Sequence, residues 1–225
     1  MIRLINVDKF VQAKFTKTFI LKGIDLEISE GEFVTIMGPS GAGKTTLLNI
    51  IGLLDRPSAG EYFFMDEPVH NFKERKTAEL HKYHMGFVFQ AYHLIDELTV
   101  YENIETPLLY QGIKSKERKS MVADMLDKFN MVAKKDLFPD QLSGGQQQLV
   151  GVIRAIIGKP KLLIADEPTG NLHSSQGETI MELFQKLHKE NGITIVQVTH
   201  SDKNAQYGSR IVEIEDGAIT RDVAV

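Results

Sequence analysis

Glu32-Phe33-Val34-Thr35-Ile36-Met37 runs directly into Gly38-Pro39-Ser40-Gly41-Ala42-Gly43-Lys44-Thr45. The six residues before Gly38 read as a strand. Thr45 to Leu54 reads as a helix that is apolar nearly all round and therefore buried. Between them the spacing is G-x-x-x-x-G-K-[ST], in the strand-to-helix context that gives this pattern its meaning. Its glycines let successive backbone N–H groups turn inward and ring an anion, and the start of the helix adds partial positive charge. Lys44 is placed to reach the β- and γ-phosphates of a nucleoside triphosphate, and the Thr45 hydroxyl to meet Mg²⁺. A glycine-rich turn that merely carries a surface lysine would not need both flanks.

Working outward, Leu162-Leu163-Ile164-Ala165 is an unbroken apolar run ending in Asp166-Glu167, the mark of a strand buried on both faces of a parallel sheet. Asp166 can hold Mg²⁺ directly or through water, and Glu167 can orient and polarise an attacking water. Phosphoryl transfer asks chiefly for such positioning and charge stabilisation. Gln90 follows the short strand Gly86-Phe87-Val88-Phe89, and His200 follows the apolar run Ile193 to Val198 and Thr199. Ligands of open α/β sheets collect at the carboxyl ends of strands. Gln90 is therefore read as a contact for Mg²⁺ or the lytic water, and His200 as a hydrogen-bond partner of the γ-phosphate. Taken singly, each would be an ordinary satisfied polar residue.

Leu142-Ser143-Gly144-Gly145-Gln146 is a second phosphate-shaped element. Ser-x-x-Gln is a capping box, and capping is one of its jobs. Two adjacent glycines in a first helical turn cost about 1 kcal/mol each relative to alanine. They make sense where the backbone must approach a ligand, and a hydroxyl beside exposed N–H groups at a helix start suits a γ-phosphate.

The remaining pattern alternates strands and helices. Arg3 to Val7 and Ile24 to Ile28 alternate in polarity as half-buried antiparallel strands do. Thr99 to Lys135 is mostly helical: Thr99 and Glu102 have capping-box spacing, and Met121, Val122, Met125, Leu126 and Phe129 make one apolar stripe. Pro160 limits the helix that Ser143 opens. Ile180, Leu183, Phe184 and Leu187 share a helical face, with Gly192 as the stop. Arg210 to Ile219 reads as a hairpin around Asp216-Gly217. The expectation is one α/β domain over 1–225, with an ATP-binding core at 1–90 and 141–225, an N-terminal antiparallel β subdomain, and a helical subdomain inserted at about 91–140.

The chain has 225 residues, long enough for a single large domain with a real core. It has no cysteine, which removes disulfides, thiolate metal sites and cysteine nucleophiles and fits a reducing compartment. Its net charge of -4 gives no sign of a general nucleic-acid surface. The N-terminus reads as a first strand rather than a secretory signal. The longest apolar segment, Leu47 to Leu54, is far short of the roughly 20 residues that span a bilayer, so a membrane role is expected to run through a partner. His81 and His84, with His70 and His93 nearby, invite a metal reading, but their charged, loop-like flanks favour solvated histidines. Lys114 to Lys119 reads as a solvated helix start.

In order along the chain, the loop at 38–45 (Walker A), Gln90 (Q-loop), Leu142 to Gln146 (signature), 162–167 (Walker B) and His200 (H-loop) resemble the nucleotide-binding subunit of ABC transporters, a P-loop NTPase core, over essentially the whole length. Ile36 to Ser40, Gly86 to Gln90, Ser143 to Gln148 and Asp166 to Leu172 look most like the branch that serves lipoprotein-release and macrolide-export systems. The resemblance implies an ATPase that binds ATP through Gly38, Pro39, Ser40, Gly41, Ala42, Gly43, Lys44, Thr45 and Thr46, with Phe10 or Val11 near the base. It implies Mg²⁺ on Thr45, Gln90 and Asp166, Glu167 as general base, and Gln90 and His200 positioning and sensing the γ-phosphate. Ser143, Gly144, Gly145 and Gln146 would complete the site of a second copy, in a head-to-tail homodimer around two ATP. An integral-membrane permease would dock in the groove near Ala91 to Tyr101, which implies a cytoplasmic protein held peripherally on the inner face of the cell membrane.

Three residues depart from the family pattern. His173 stands where the family usually has an aspartate linking the two sites, which opens an alternative: an ATP-gated clamp or regulatory subunit with weak turnover. Leu149 stands where a basic residue is common. Val11 stands where an aromatic is expected to stack on adenine; Phe10 is adjacent but would have to shift, and base–aromatic stacking of ~1–3 kcal/mol sets the scale of the loss.

Overall fold

The strands expected at Arg3 to Val7 and Ile24 to Ile28 run further and pair with each other, although register shifts after Leu4 interrupt the alternation. The computed structural model describes residues 1–13 and 16–225. In chain order its elements are β1 (Ile2–Gln12), β2 (Lys17–Ile28), β3 (Phe33–Met37), α1 (Lys44–Ile51), β4 (Ala59–Phe64), β5 (Glu67–Pro68), α2 (Glu74–His84), β6 (Met85–Phe89), α3 (Val100–Tyr110), α4 (Ser115–Lys128), α5 (Gly144–Ile156), β7 (Leu162–Asp166), α6 (Ser174–Asn191), β8 (Thr194–Val198), α7 (Asp202–Ala205), β9 (Arg210–Glu215) and β10 (Ala218–Ala224). The chain is α/β and divides into two compact units, Met1–Glu79 with Met181–Val225, and Leu80–Ile180.

In the first unit an antiparallel sheet runs β2-β1-β4-β5. Beside it, β3 lies in parallel register with β8 (Ile36 opposite Val198) and with β9 (Ile36 opposite Val212). Phe33, Val34, Thr35 and Ile36 are all buried, as expected of a strand covered on both faces. β10 folds back antiparallel on β9 through Asp216 (φ 47) and Gly217 (φ 82), the left-handed pair of a type I′ turn. α1 buries Leu47, Leu48, Ile50 and Ile51 but stops short of the expected Leu54. Leu53 leaves the helical region at φ 56, and Leu54 is half exposed. β4 has no counterpart in the sequence reading, since within Ala59–Phe64 only Tyr62 and Phe64 are buried. Burial raises the Tyr62 pKa, so its hydroxyl stays a donor, and it bonds the Ile51 carbonyl at 2.6 Å.

In the second unit β6 and β7 are parallel, from Met85 opposite Leu162 to Phe89 opposite Asp166. α3, α4 and α5 bury a common cluster that includes Ile104, Leu108, Val122, Leu126, Val150 and Ile153, with Met121, Met125 and Phe129 packed against it. Leu149 packs on the same cluster, which accounts for an apolar residue at that position. The Thr99 capping box forms: Glu102 N–H donates to Thr99 Oγ1 at 3.2 Å and Thr99 N–H to the Glu102 carboxylate at 2.8 Å. Bonds from the Thr99 backbone and hydroxyl hold that carboxyl below its ordinary pKa. The charge run 114–119 is not wholly solvated, because Arg118 pairs with Glu105 at 2.8 Å and bonds the Ile113 carbonyl at 2.7 Å. α2 was invisible to periodicity because it buries no residue.

Candidate functional site

β3 delivers the chain into the 38–45 loop, and the loop's backbone demands glycine. Gly43 has φ 102, and a Cβ there would lie 2.8 Å from Leu21 Cδ2 and 2.9 Å from the Ile20 carbonyl. Lys44 Nζ donates to the carbonyls of Gly38 and Pro39, both at 2.8 Å, so the ammonium crosses the mouth of its own loop. The Asp216-Gly217 turn grips the loop from outside. Gly217 N–H donates to the Ala42 carbonyl (3.2 Å), and Lys22 N–H donates to the Gly217 carbonyl (2.8 Å). Thr45 is exposed and Thr46 half-buried. Thr199 N–H bonds the Ile36 carbonyl at 3.3 Å, so His200 leaves the same end of the β3–β8 pair as Gly38. This unit therefore holds Gly38 to Thr46 together with His200.

Phe10 and Val11 point to opposite faces of β1, as successive strand residues do. Phe10 packs on Phe19 with ring centroids 5.4 Å apart, and Lys17 Nζ sits 3.6 Å from its centroid. Val11 is 58% exposed and pairs across the ladder with Thr18. Phe10 is already engaged, and the exposed side chain on the other face is aliphatic.

The second unit holds the carboxylates. Phe89 lies opposite Asp166, so Gln90 and Glu167 leave neighbouring strand ends. Gln90 Nε2 donates to Asn171 Oδ1 at 3.1 Å, and Asn171 Nδ2 donates to the Gln90 carbonyl at 3.0 Å. That leaves the Gln90 Oε1 as its atom for a cation. Glu167 has φ 45, a left-handed conformation costly for a residue with a β-carbon, and its carbonyl accepts Gly170 N–H at 3.0 Å. In this unit the Asp166 carboxylate and the Gln90 side-chain oxygen are hard oxygen donors, of the kind that suits Mg²⁺.

Ser143 caps α5 as its spacing predicts. Its hydroxyl accepts Gln146 N–H at 3.4 Å, and Gln146 Oε1 accepts Ser143 N–H at 3.1 Å. The adjacent glycines have a packing reason besides ligand approach: Cβ atoms would lie 2.7 Å from the Tyr92 hydroxyl at Gly144 and 2.7 Å from Gln176 at Gly145.

Several residues that organise this unit escaped the sequence reading. Arg154 of α5 donates to the carbonyls of His93 (2.7 Å) and Tyr92 (3.1 Å), residues with φ 47 and 57; burial lowers its pKa. Fully buried Asn103 accepts Ile95 N–H at 2.9 Å and donates to the carbonyls of Ile95, Leu98 and Thr99 at 3.0–3.1 Å. Between them they fix much of the stretch from Ala91 to Tyr101.

His93 is exposed, as expected, whereas His70, His81 and His84 are half-buried, and His81 and His84 lie on α2 rather than in a loop. His81 packs edge-on against Phe87 (5.5 Å), and His93 lies against Phe89 (4.7 Å). His70 Nδ1 is 3.1 Å from the Tyr62 backbone. Burial, then the charge of Lys161, lowers the His84 pKa. No group of three or more His, Cys, Asp or Glu able to hold a metal occurs among the described residues.

The ABC transporter family model matches residues 21–170. The chain is 44% identical over 219 residues to an uncharacterized ABC transporter ATP-binding protein of Thermotoga maritima, spanning 97% of this chain and 93% of that one. It is 45% identical over 201 residues to the macrolide export ATP-binding/permease protein MacB of Wolinella succinogenes, spanning 89% of this chain and 31% of that one. The dimeric, post-hydrolysis ATP-binding cassette MJ0796 bound to ADP and Pi matches with a TM-score of 0.92 at 39% identity, over 100% of this chain and 98% of that one; MJ0796 comes from Methanocaldococcus jannaschii.

Proposed function

Because this chain belongs to the ABC transporter family of ATP-binding proteins, we propose that it powers an export-type permease, in lipoprotein release, macrolide-type export or force transmission. It is an ABC ATPase, converting ATP and water to ADP and phosphate. In the proposed cycle two copies close head to tail around two ATP. Gly38 to Thr46 of one copy and Ser143 to Gln146 of the other hold each nucleotide, with Phe10 and Val11 near the base. A triphosphate offers the Lys44 ammonium anionic acceptors in place of the neutral Gly38 and Pro39 carbonyls, which adds charge–charge attraction to the hydrogen bonds. Thr45, Asp166 and Gln90 would hold Mg²⁺, which supplies charge neutralisation on the phosphates. Glu167 polarises the attacking water, and His200 bonds the γ-phosphate. ATP drives closure only by its greater affinity for the closed state. The permease docks along Ala91 to Tyr101 and keeps the ATPase on the inner face of the cell membrane; no helix among the described residues is long and apolar enough to cross a membrane.

The observation that carries this reading is the Phe89–Asp166 register, which sets Gln90 beside the Asp166-Glu167 pair. Glu167→Gln is expected to retain ATP binding, to cut turnover by about 10²–10⁴-fold, the usual worth of a general base, and to trap an ATP-bound dimer on size exclusion. Unimpaired turnover overturns the role of Glu167. Detergent pull-down with mass spectrometry should recover a permease, and recovery of no membrane protein overturns the docking. His173, exposed at the start of α6, favours the second reading, a clamp with weak turnover.

A further inference from the structure

Gln148 lies in the second turn of α5 and is fully buried. Its Nε2 donates to the Pro168 carbonyl at 2.5 Å. Its Oε1 is buried and has no hydrogen-bond partner among the described residues. A half-satisfied buried carboxamide is a poor way to fill space: the unpaired oxygen has lost its water and gained nothing. What Gln148 does supply is the bond to Pro168, the residue that follows Glu167. Pro168 is buried and has no N–H, so this segment is tied through its carbonyls. Gly170 N–H holds that of Glu167 at 3.0 Å, and Gln148 holds that of Pro168.

We propose that Gln148 is a positioning residue for Glu167, tying the backbone beside that carboxylate to the helix that Ser143 begins. α5 is a continuous helix, and Gln148 lies five positions after Ser143, about 7.5 Å along the axis. A phosphate drawn against the start of α5 shifts Gln148 with the helix, and with it the backbone at Glu167 of the same chain. Occupancy of the nucleotide site that this helix completes in a second copy is thereby reported to this copy's own general base. The inference rests on the roles proposed for Glu167 and Ser143.

Steady-state ATPase kinetics and thermal unfolding of Gln148→Met and Gln148→Glu test it. Gln148→Met removes the donor at similar length; kcat should fall about 10-fold, the rate equivalent of one lost hydrogen bond, with the KM for ATP within about two-fold. Its Tm should stay within a few degrees, because one unpaired buried acceptor, Oε1, is exchanged for another, the Pro168 carbonyl. Gln148→Glu keeps the shape but donates only when protonated, so its activity relative to wild type should rise as pH falls; a space-filling role predicts no such rise. Should Gln148→Met fail to fold, the pH profile of Gln148→Glu decides alone. Turnover within two-fold of wild type in both variants, or activity lost in step with Tm and flat in relative pH profile, overturns the proposal. Glu167→Gln separates the two failures. If it is inactive while the Gln148 variants turn over normally, only the link is wrong. If it is fully active, the role of Glu167 falls and takes the link with it.

Discussion

Gln90 and Asn171 hold each other through two hydrogen bonds, side chain to side chain at 3.1 Å and Asn171 amide to Gln90 carbonyl at 3.0 Å. Gly170 permits the approach, since a Cβ there would lie 2.7 Å from Gln90 Nε2. The segment after Glu167 thus sets where the Gln90 carboxamide points.

Asn171→Ala removes both bonds, together about 1–3 kcal/mol. Turnover is expected to drop about 10-fold or more while equilibrium ATP binding changes little. Asn171→Asp keeps the acceptor and loses the donor, so it should fall between the two. ATPase rates equal to wild type in both would show that Gln90 acts without this partner.

Gly217→Ala tests the grip on the nucleotide loop. A Cβ would lie 2.4 Å from the Ile20 carbonyl, at φ 82. The strain is of order 1–3 kcal/mol, which lowers Tm by about 2–4 °C per kcal/mol in a chain of this size. Calorimetry should show weaker ATP binding as well. Gly112→Ala, at φ 73 with nothing within 4 Å, is the control: some loss of Tm and no change in ATP affinity.

His173→Asp puts an acceptor and a negative charge at the start of α6, where the His173 carbonyl already takes Gly177 N–H at 2.9 Å. A helix-start aspartate stabilises by about 0.5–2 kcal/mol, so Tm should rise. Steady-state ATPase assays then separate the two functional readings. Near-background turnover in wild type, rescued by His173→Asp, supports the clamp; robust turnover in both supports the transport motor.

His84 predicts a pH dependence of stability. Burial and Lys161 lower its folded pKa beneath the ordinary histidine value of 6.5. As pH falls below that value the unfolded chain binds a proton that the folded chain resists, so stability declines until pH passes the folded pKa. His84→Gln should flatten the fall in Tm between neutral and mildly acidic pH. An identical fall in the variant would place its origin elsewhere.

The 38–45 loop, the buried strands on either side of it and the caps at Thr99 and Ser143 were legible because each rests on local chemistry: special φ angles, unbroken apolar runs, a hydroxyl three residues before a matching partner. β4 and α2 were not, since the one buries two side chains and the other none. Gln148, Arg154 and Asn171 escaped because each acts on backbone or amide groups 20 to 81 residues away, a pairing that no periodicity records. The partial burial of His81 was missed for the same reason: its ring partner Phe87 lies on β6.

Asn103 bonds four backbone groups of the Ile95–Thr99 loop from a fully buried position. A protein that settles on this loop meets a surface whose ordering entropy was spent during folding. Association there should resemble rigid docking, with little induced structure and a small entropic penalty from the loop. Loosening that one carboxamide would leave the loop's chemistry unchanged and make every encounter bear the cost of ordering it afresh.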